Sequence, residues 1–428
     1  MMKLFTSLML VLALGVTSPA YASQDGEVTL KLIETSDVHG CYFSYDFISM
    51  KLRKGGLACV SSFVKEQREQ YGDGVVLMDN GDILQGQPIA YYYNYIDTTS
   101  VHVTSAMLNY MKYDVGTMGN HDVETGHAVY DRWVKQCAFP VLGANIVDNK
   151  TGEPYLTPYK IIERKGVKIA VLGMITPAIP SWLPEQLWNG LHFEDMEDCA
   201  RKWVKIIKEK ENPDVLIGLF HAGPEGNKLD NVVENGSGDV AKNVPGFDVV
   251  FMGHDHVRRC EKIVNVAGDS VLLVDPANAA RYVSDVTVKV TKAGGKLVRK
   301  SVEGALADVS RYAADEDFMR EFAGQYQATV DFVSRKIGRI EETITTKDAY
   351  LGPSAFIDLL HQLQLDITGA DISFCAPLSF SAEIKKGDIY MSDMFNLYKY
   401  ENLLYTMKLT GKEIKDFLEM SYDLWTNQ

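Results

Sequence analysis

Five short clusters carry most of the chemistry this sequence offers: Asp37-Val38-His39-Gly40, Gly81-Asp82-Ile83-Leu84-Gln85-Gly86, Gly119-Asn120-His121-Asp122, His221 within Phe220-His221-Ala222-Gly223, and Gly253-His254-Asp255-His256. Each alone has an ordinary reading. An Asp-x-His at a strand end is a cap or turn, the Asn and Asp runs are polar loops, and a lone histidine is a hydrogen-bonded core residue. Together they are harder to set aside, because five of the nine histidines fall in these clusters. Their types fit a site for two divalent cations. Cations held ~3.5–4 Å apart can clamp the attacking and leaving oxygens of a phosphoryl displacement. Such spacing calls for a shared anion, and a carboxylate can lend one oxygen to both. Mixed His, Asp and Asn donors suit Mn, Fe, Co or Zn better than Ca. Without a thiolate cluster, a closed structural zinc site is disfavoured.

The elements that position these clusters are short, β-branched-rich apolar runs at Val28–Ile33, Val75–Met78, Val115–Met118, Val167–Ile175, Val215–Phe220, Val249–Met252 and Val271–Val274. Each has the length of a buried strand. Five of them lead directly into one of the clusters, and in open α/β sheets ligands bind at such carboxyl edges. Helix-like segments at Cys59–Gln70 and Asp195–Glu211 separate some strands. The second opens on acids, is rich in Lys and Arg, and stops at Asn212-Pro213. A layered α/β domain follows. Asp315–Ser334 reads as an amphipathic helix leading to a smaller α/β or α+β unit. That unit stops within a helical pattern over Gly411–Trp425, so it reads as incomplete.

Composition narrows the function classes. The chain has 428 residues, 46% of them hydrophobic, and a net charge of −14. An acidic protein is a poor binder of long nucleic acid, but it can process small anions where cations supply positive charge locally. Met1-Met2-Lys3, the apolar Leu8–Val16 and Ala20-Tyr21-Ala22 read as a signal peptide cut before Ser23, which implies export to the periplasm or beyond. No later run is apolar enough for a membrane span. The six cysteines (Cys41, Cys59, Cys137, Cys199, Cys260, Cys375) form no CxxC and read as mostly buried small hydrophobes, with room for one bridge. Oligomeric state is not legible.

In this order the five clusters resemble the calcineurin-like metallophosphoesterases, and more narrowly their secreted nucleotidase branch, over about residues 28–425. Gly369-Ala370-Asp371-Ile372, Gly387-Asp388-Ile389 and Leu409-Thr410-Gly411-Lys412-Glu413-Ile414 resemble that branch's C-terminal substrate domain. The resemblance implies a four-layer β-sandwich flanked by helices (23–312), a linker helix (313–336) and an incomplete substrate domain (337–428), after a signal peptide at 1–22. It implies that Asp37, His39 and His256 hold one metal, that Asn120, His221 and His254 hold the other, and that Asp82 bridges them. His121 would stabilise the transition state or assist the leaving oxygen, oriented by Glu124, with Asp122 in a supporting role. Tyr400 matches a base-stacking aromatic; the alternative is that Tyr398 and Tyr400 merely alternate across a strand. The implied partners are small nucleotides. The 5′-nucleotidase branch usually carries a substrate-binding Arg where Cys375–Ser381 stands here without one. This stretch, with Leu397–Asn402, instead resembles the 2′,3′-cyclic-nucleotide 2′-phosphodiesterase/3′-nucleotidase branch. A 5′-nucleotidase, a UDP-sugar hydrolase and an inactive binding remnant stay open as alternatives.

Overall fold

The computed structural model describes residues 26–226, 228–229, 232–350, 352–377, 379, 381–398 and 403–426. The signal-peptide segment, Leu378, Phe380 and Tyr400 lie outside them.

Twelve strands form two six-stranded sheets: β1 (Gly26–Thr35), β2 (Val75–Asp79), β3 (Val115–Thr117), β4 (Val141–Leu142), β5 (Tyr159–Arg164), β6 (Val167–Ile175), β7 (Val215–His221), β8 (Val249–Met252), β9 (Arg259–Val264), β10 (Ser270–Asp275), β11 (Tyr282–Ala293) and β12 (Lys296–Asp308). The first sheet runs β12-β11-β1-β2-β3-β4, with β1 to β4 parallel and the long β11–β12 hairpin antiparallel at one side. The second runs β9-β10-β8-β7-β6-β5, with parallel strands inside and an antiparallel strand at each edge.

Side chains alternate across a strand, so each sheet serves two layers. Leu32, Val76, Ile217, Phe251 and Val286 fill the space between the sheets. Their neighbours point outward. Ile33 and Leu77 pack beneath the helices Leu57–Tyr71 and Val103–Met111. Leu216 and Phe220 pack beneath Met196–Lys210 and Ser237–Asn243. The result is a four-layer α/β sandwich. Burial on both faces is why the central strands read as unbroken apolar runs. Asp195 caps the Met196–Lys210 helix, accepting from the amides of Glu197 (2.9 Å) and Asp198 (3.0 Å).

Two sequence expectations change. The single helix over Asp315–Ser334 is two helices, Glu316–Glu321 and Ala323–Val333, broken at Phe322 (φ −101°, ψ 18°). The break lets Phe318, Phe322 and Phe332 all turn into the core of the first sheet's helical layer. No cysteine bridge forms: all six thiols are free, and Cys260 is exposed rather than buried. Its strand β9 is an outer strand whose burial is low throughout.

The C-terminal part pairs Lys336–Ile340 with Gly387–Tyr390 and Ile344–Thr345 with Glu383–Ile384. The helix Ala355–Thr368 covers a small core of Ile344, Phe356, Leu360, Ala382, Ile384 and Leu397. Among the described residues, no helix is long and apolar enough to cross a membrane.

Candidate metal centre

The strand ends of both sheets are flush. Thr35 pairs across from Asp79, and Asp79 from Gly116. In the other sheet Phe220 lies opposite Met252, and His221 opposite Ile175. The chain turns sharply past these ends. Asp37 (φ 50°), His39 (49°), Asp82 (54°), His254 (77°) and His256 (59°) all occupy the left-handed region. Such conformations cost non-glycine residues about 1–3 kcal/mol each and persist only where surrounding structure fixes them. Here the Asp37 amide donates to Gly81 O (3.0 Å) and the His39 amide to Asp82 O (2.9 Å). Asp122, fully buried, accepts from the amides of Gly119 (2.8 Å), Asp82, Ile83 and Leu84 (2.9 Å each), and so clamps two turns together. Two glycines permit the closest approaches. A Cβ on Gly119 would stand 2.2 Å from Asp82 Oδ1, and one on Gly253 would stand 2.1 Å from Ser36 Oγ.

These turns bring the predicted donors together as two triads, Asp37/His39/His256 and Asp82/His221/His254. Within each, one donor atom per residue lies within 4.8 Å of the others. In the first, His256 Nε2 is 3.2 Å from Asp37 Oδ1 and 3.0 Å from His39 Nε2. In the second, His221 Nε2 is 3.3 Å from Asp82 Oδ2. Asn120 Oδ1 stands 3.1 Å from His221 Nε2 and 2.8 Å from His254 Nδ1. Asp82 Oδ2 also lies 4.0 Å from His39 Nε2, so one carboxylate oxygen reaches towards both triads.

The surrounding hydrogen bonds set which ring nitrogens face inward. His221 Nδ1 donates to the Asn80 carbonyl (2.6 Å), leaving Nε2 to point at Asp82. His254 is reversed: its Nε2 meets Glu234 Oε1 (3.1 Å) and its Nδ1 faces Asn120. Asn278 Nδ2 lies 3.0 Å from His256 Nδ1. His121 belongs to neither triad. Its Nδ1 is 2.6 Å from Glu124 Oε2, its amide donates to Asp82 Oδ1 (2.8 Å), and its ring packs edge-on to His39 with centroids 5.5 Å apart. Glu234, Asn278 and the Trp182 ring, 5.5 Å from that of His254, were not anticipated from sequence.

Electrostatics provide a test of whether cations fit. Burial alone would lower the His221 pKa, yet Asp82 and Asp37 outweigh it and raise it to about 10. His121 is likewise raised to about 9 against burial by Asp82 and Glu124. Burial wins at His39, pushing it down to about 4 despite the same carboxylates. Two buried aspartates thus draw positive charge into a space walled by imidazole nitrogens. A divalent ion would satisfy that demand and displace the protons, which is how metal binding couples to ligand titration. The nitrogen and oxygen donor set, without thiolate, suits first-row cations.

Residues 30–258 match the family model for calcineurin-like phosphoesterase. The chain belongs to that family. Residues 336–428 match the model for the 5′-nucleotidase C-terminal domain. Among curated relatives, this phosphoesterase is 27% identical over 453 residues to a trifunctional nucleotide phosphoesterase of Bacillus subtilis (strain 168), aligning 95% of its own length but 31% of that protein. It is 29% identical over 466 residues to the 2′,3′-cyclic-nucleotide 2′-phosphodiesterase/3′-nucleotidase of Haemophilus influenzae, covering 96% of this chain and 70% of the relative. A 5′-nucleotidase precursor from Thermus thermophilus shares the fold, with TM-score 0.64, 20% identity and coverage of 93% and 79%.

Proposed function

We propose that this chain hydrolyses nucleotide phosphoesters at a two-cation centre, with 2′,3′-cyclic and 3′-nucleotides as its substrates. The observation that carries the reading is the convergence of the two triads on Asp82 Oδ2, at the flush strand ends of two sheets. Asp37, His39 and His256 would hold one cation, and Asn120, His221 and His254 the other, with Asp82 shared. Bound cations there supply Lewis acidity towards the phosphoryl oxygens and lower the pKa of the attacking water. Asp122 keeps the Asp82 and Asn120 turns in register through its four amide contacts. His121, protonated up to about pH 9 and held by Glu124, donates its Nε2 proton to the leaving oxygen. Its ring is one-third exposed, so a leaving group can reach it from solvent.

The substrate choice is supported by the Haemophilus relative's name and by the lack of any Arg over Cys375–Ser381. The match at 336–428 favours 5′-nucleotides as the second reading. The proposal takes residues 23–312 as the hydrolase domain, 313–336 as the connector, 337–428 as the substrate domain with Tyr400 stacking on the base, and 1–22 as an export signal.

The test is phosphate and nucleoside release from 2′,3′-cyclic AMP, 3′-AMP and 5′-AMP, with Mn²⁺ or with EDTA. Metal-dependent turnover of the first two, with 5′-AMP much slower, is expected. A preference for 5′-AMP would transfer the chain to the second reading. Failure on an aryl phosphate as well, in metal-loaded protein, would leave a binding remnant.

A further inference from the structure

Beside His256 the surface opens into a cavity of about 670 Å³ lined by Arg53, Lys54, Arg258, Arg281, Asn278 and His256. The chain carries 57 acids against 43 Lys and Arg, so a cluster of four cations in one cavity runs against its composition. Among the described residues, no carboxylate lies within ion-pair distance of any of the four. Arg53 donates instead to the Ala279 carbonyl (3.2 Å) and to Cys41 Sγ. The Arg258 guanidinium lies over the Tyr282 ring at 4.5 Å, a stacking contact that holds its plane and leaves its edge N–H groups free to donate.

The loop that builds this cavity is strained and tied to the metal centre. Ala277 (φ 60°), Ala279 (63°) and Ala280 (48°) are all left-handed, three non-glycine residues in four positions. The Ala279 amide donates to Asp37 O (2.8 Å), and Asn278 reaches His256. The same stretch ends on Arg281. A conformation of this cost is retained where it fixes something. Here it fixes a cationic cavity directly against one candidate metal ligand.

We propose that this cavity is a second oxyanion subsite, taking a phosphate-class dianion next to the one under cleavage. Three guanidinium groups and an ammonium present many N–H donors and no acceptor, which matches a tetrahedral dianion with several oxygens better than a single carboxylate. The dianion has two chemical sources: a further phosphoryl group on the same substrate, or released phosphate. The inference rests on the proposed hydrolase reading only for what occupies the neighbouring centre.

Equilibrium dialysis of labelled inorganic phosphate against the full, Mn²⁺-loaded chain tests it. Two equivalents are expected per chain, falling to one in Arg258→Gln/Arg281→Gln. Both side chains are exposed, so a matching thermal unfolding midpoint verifies the variant's fold. Kinetics then separates the sources. If the substrate supplies the dianion, the ratio of kcat/KM for adenosine 3′,5′-bisphosphate to that for 3′-AMP falls about tenfold or more in the variant, the loss of one charge-assisted contact or more. If released phosphate supplies it, that ratio holds while product inhibition weakens. One equivalent in both proteins, or two in both, would overturn the subsite. Wild-type protein that cleaves nothing, yet loses an equivalent of phosphate on substitution, would sink the hydrolase reading and leave the subsite standing.

Discussion

The sandwich and the C-terminal part are built on opposite terms. In the sandwich, the donors stand at or just past the buried ends of the strands, where backbone amides tie one turn to another. In the C-terminal part, a core of six buried residues supports helices that stay largely open. On Gly411–Thr426, Phe417 is 47% exposed, Met420 54% and Leu424 59%. A cavity of about 1120 Å³ lies there among Ile367, Phe374, Tyr398 and Met407. The lesson is a division of labour. Reacting geometry is held where the backbone is over-determined, and few groups there can move independently. A thinly packed region opens locally at low cost, which suits a surface that must admit and release a ligand.

That contrast is broken most decisively at Asp82. Asp82→Ala removes the oxygen that reaches towards both triads, so metal content should fall below two ions per chain. Aryl phosphatase activity should fall by at least roughly three powers of ten. Elemental analysis beside a turnover assay checks both, and full activity with two ions would refute the shared-ligand role. His121→Ala sharpens the same comparison, because it removes the proposed proton donor without removing a member of either triad. It should keep both metals and lose about 10²–10⁴ in kcat. Glu124→Gln should act more mildly and shift the alkaline limb. The Asp82 and Glu124 carboxylates oppose burial and hold His121 protonated up to about pH 9, so activity that needs the proton falls as pH rises through that value. Removing the Glu124 charge moves the fall to lower pH. A pH–rate profile with an unmoved limb would detach Glu124 from His121.

Much of this was legible in the sequence for one physical reason: strands buried on both faces must be apolar throughout, so the polar residues that follow them stand out. Val75–Met78 before Asp82 and Val215–Phe220 before His221 are clear cases. The β11–β12 hairpin had no such mark. Val286, Val288 and Val290 alternate with Thr287, Lys289 and Thr291, and only a period-two count separates that from loop. Glu234 and Asn278 were beyond reach for a different cause. Each stands on irregular chain about twenty residues from its histidine, with whole helices or strands between them, and such loop positions follow no period. The left-handed turns were hidden too, because Asp37, His39 and Asp82 are not glycines.

Stability offers the gentler tests. His102 is fully buried and caps the Val103–Met111 helix through a neutral ring: Nδ1 accepts from the Thr104 amide (3.3 Å), while Nε2 donates to Asn94 Oδ1 (2.9 Å). Burial, with Arg132 nearby, lowers its pKa to about 3. The unfolded ring titrates near its ordinary value, so it takes up a proton first as pH falls. The contribution of His102 should therefore be complete above about pH 6.5 and decline below it, by about 2 kcal/mol at pH 5. Urea midpoints at pH 7 and pH 5 measure the decline. His102→Asn keeps a capping acceptor that does not titrate, and should flatten it. An equal slope in both proteins would remove His102 as the cause. The smallest effect belongs to the open helix. Leu424→Ala should change global stability by less than about 0.5 kcal/mol, as exposed substitutions do. A loss of several kcal/mol there would mean that Leu424 is covered in solution, and the contrast between the two regions would no longer hold.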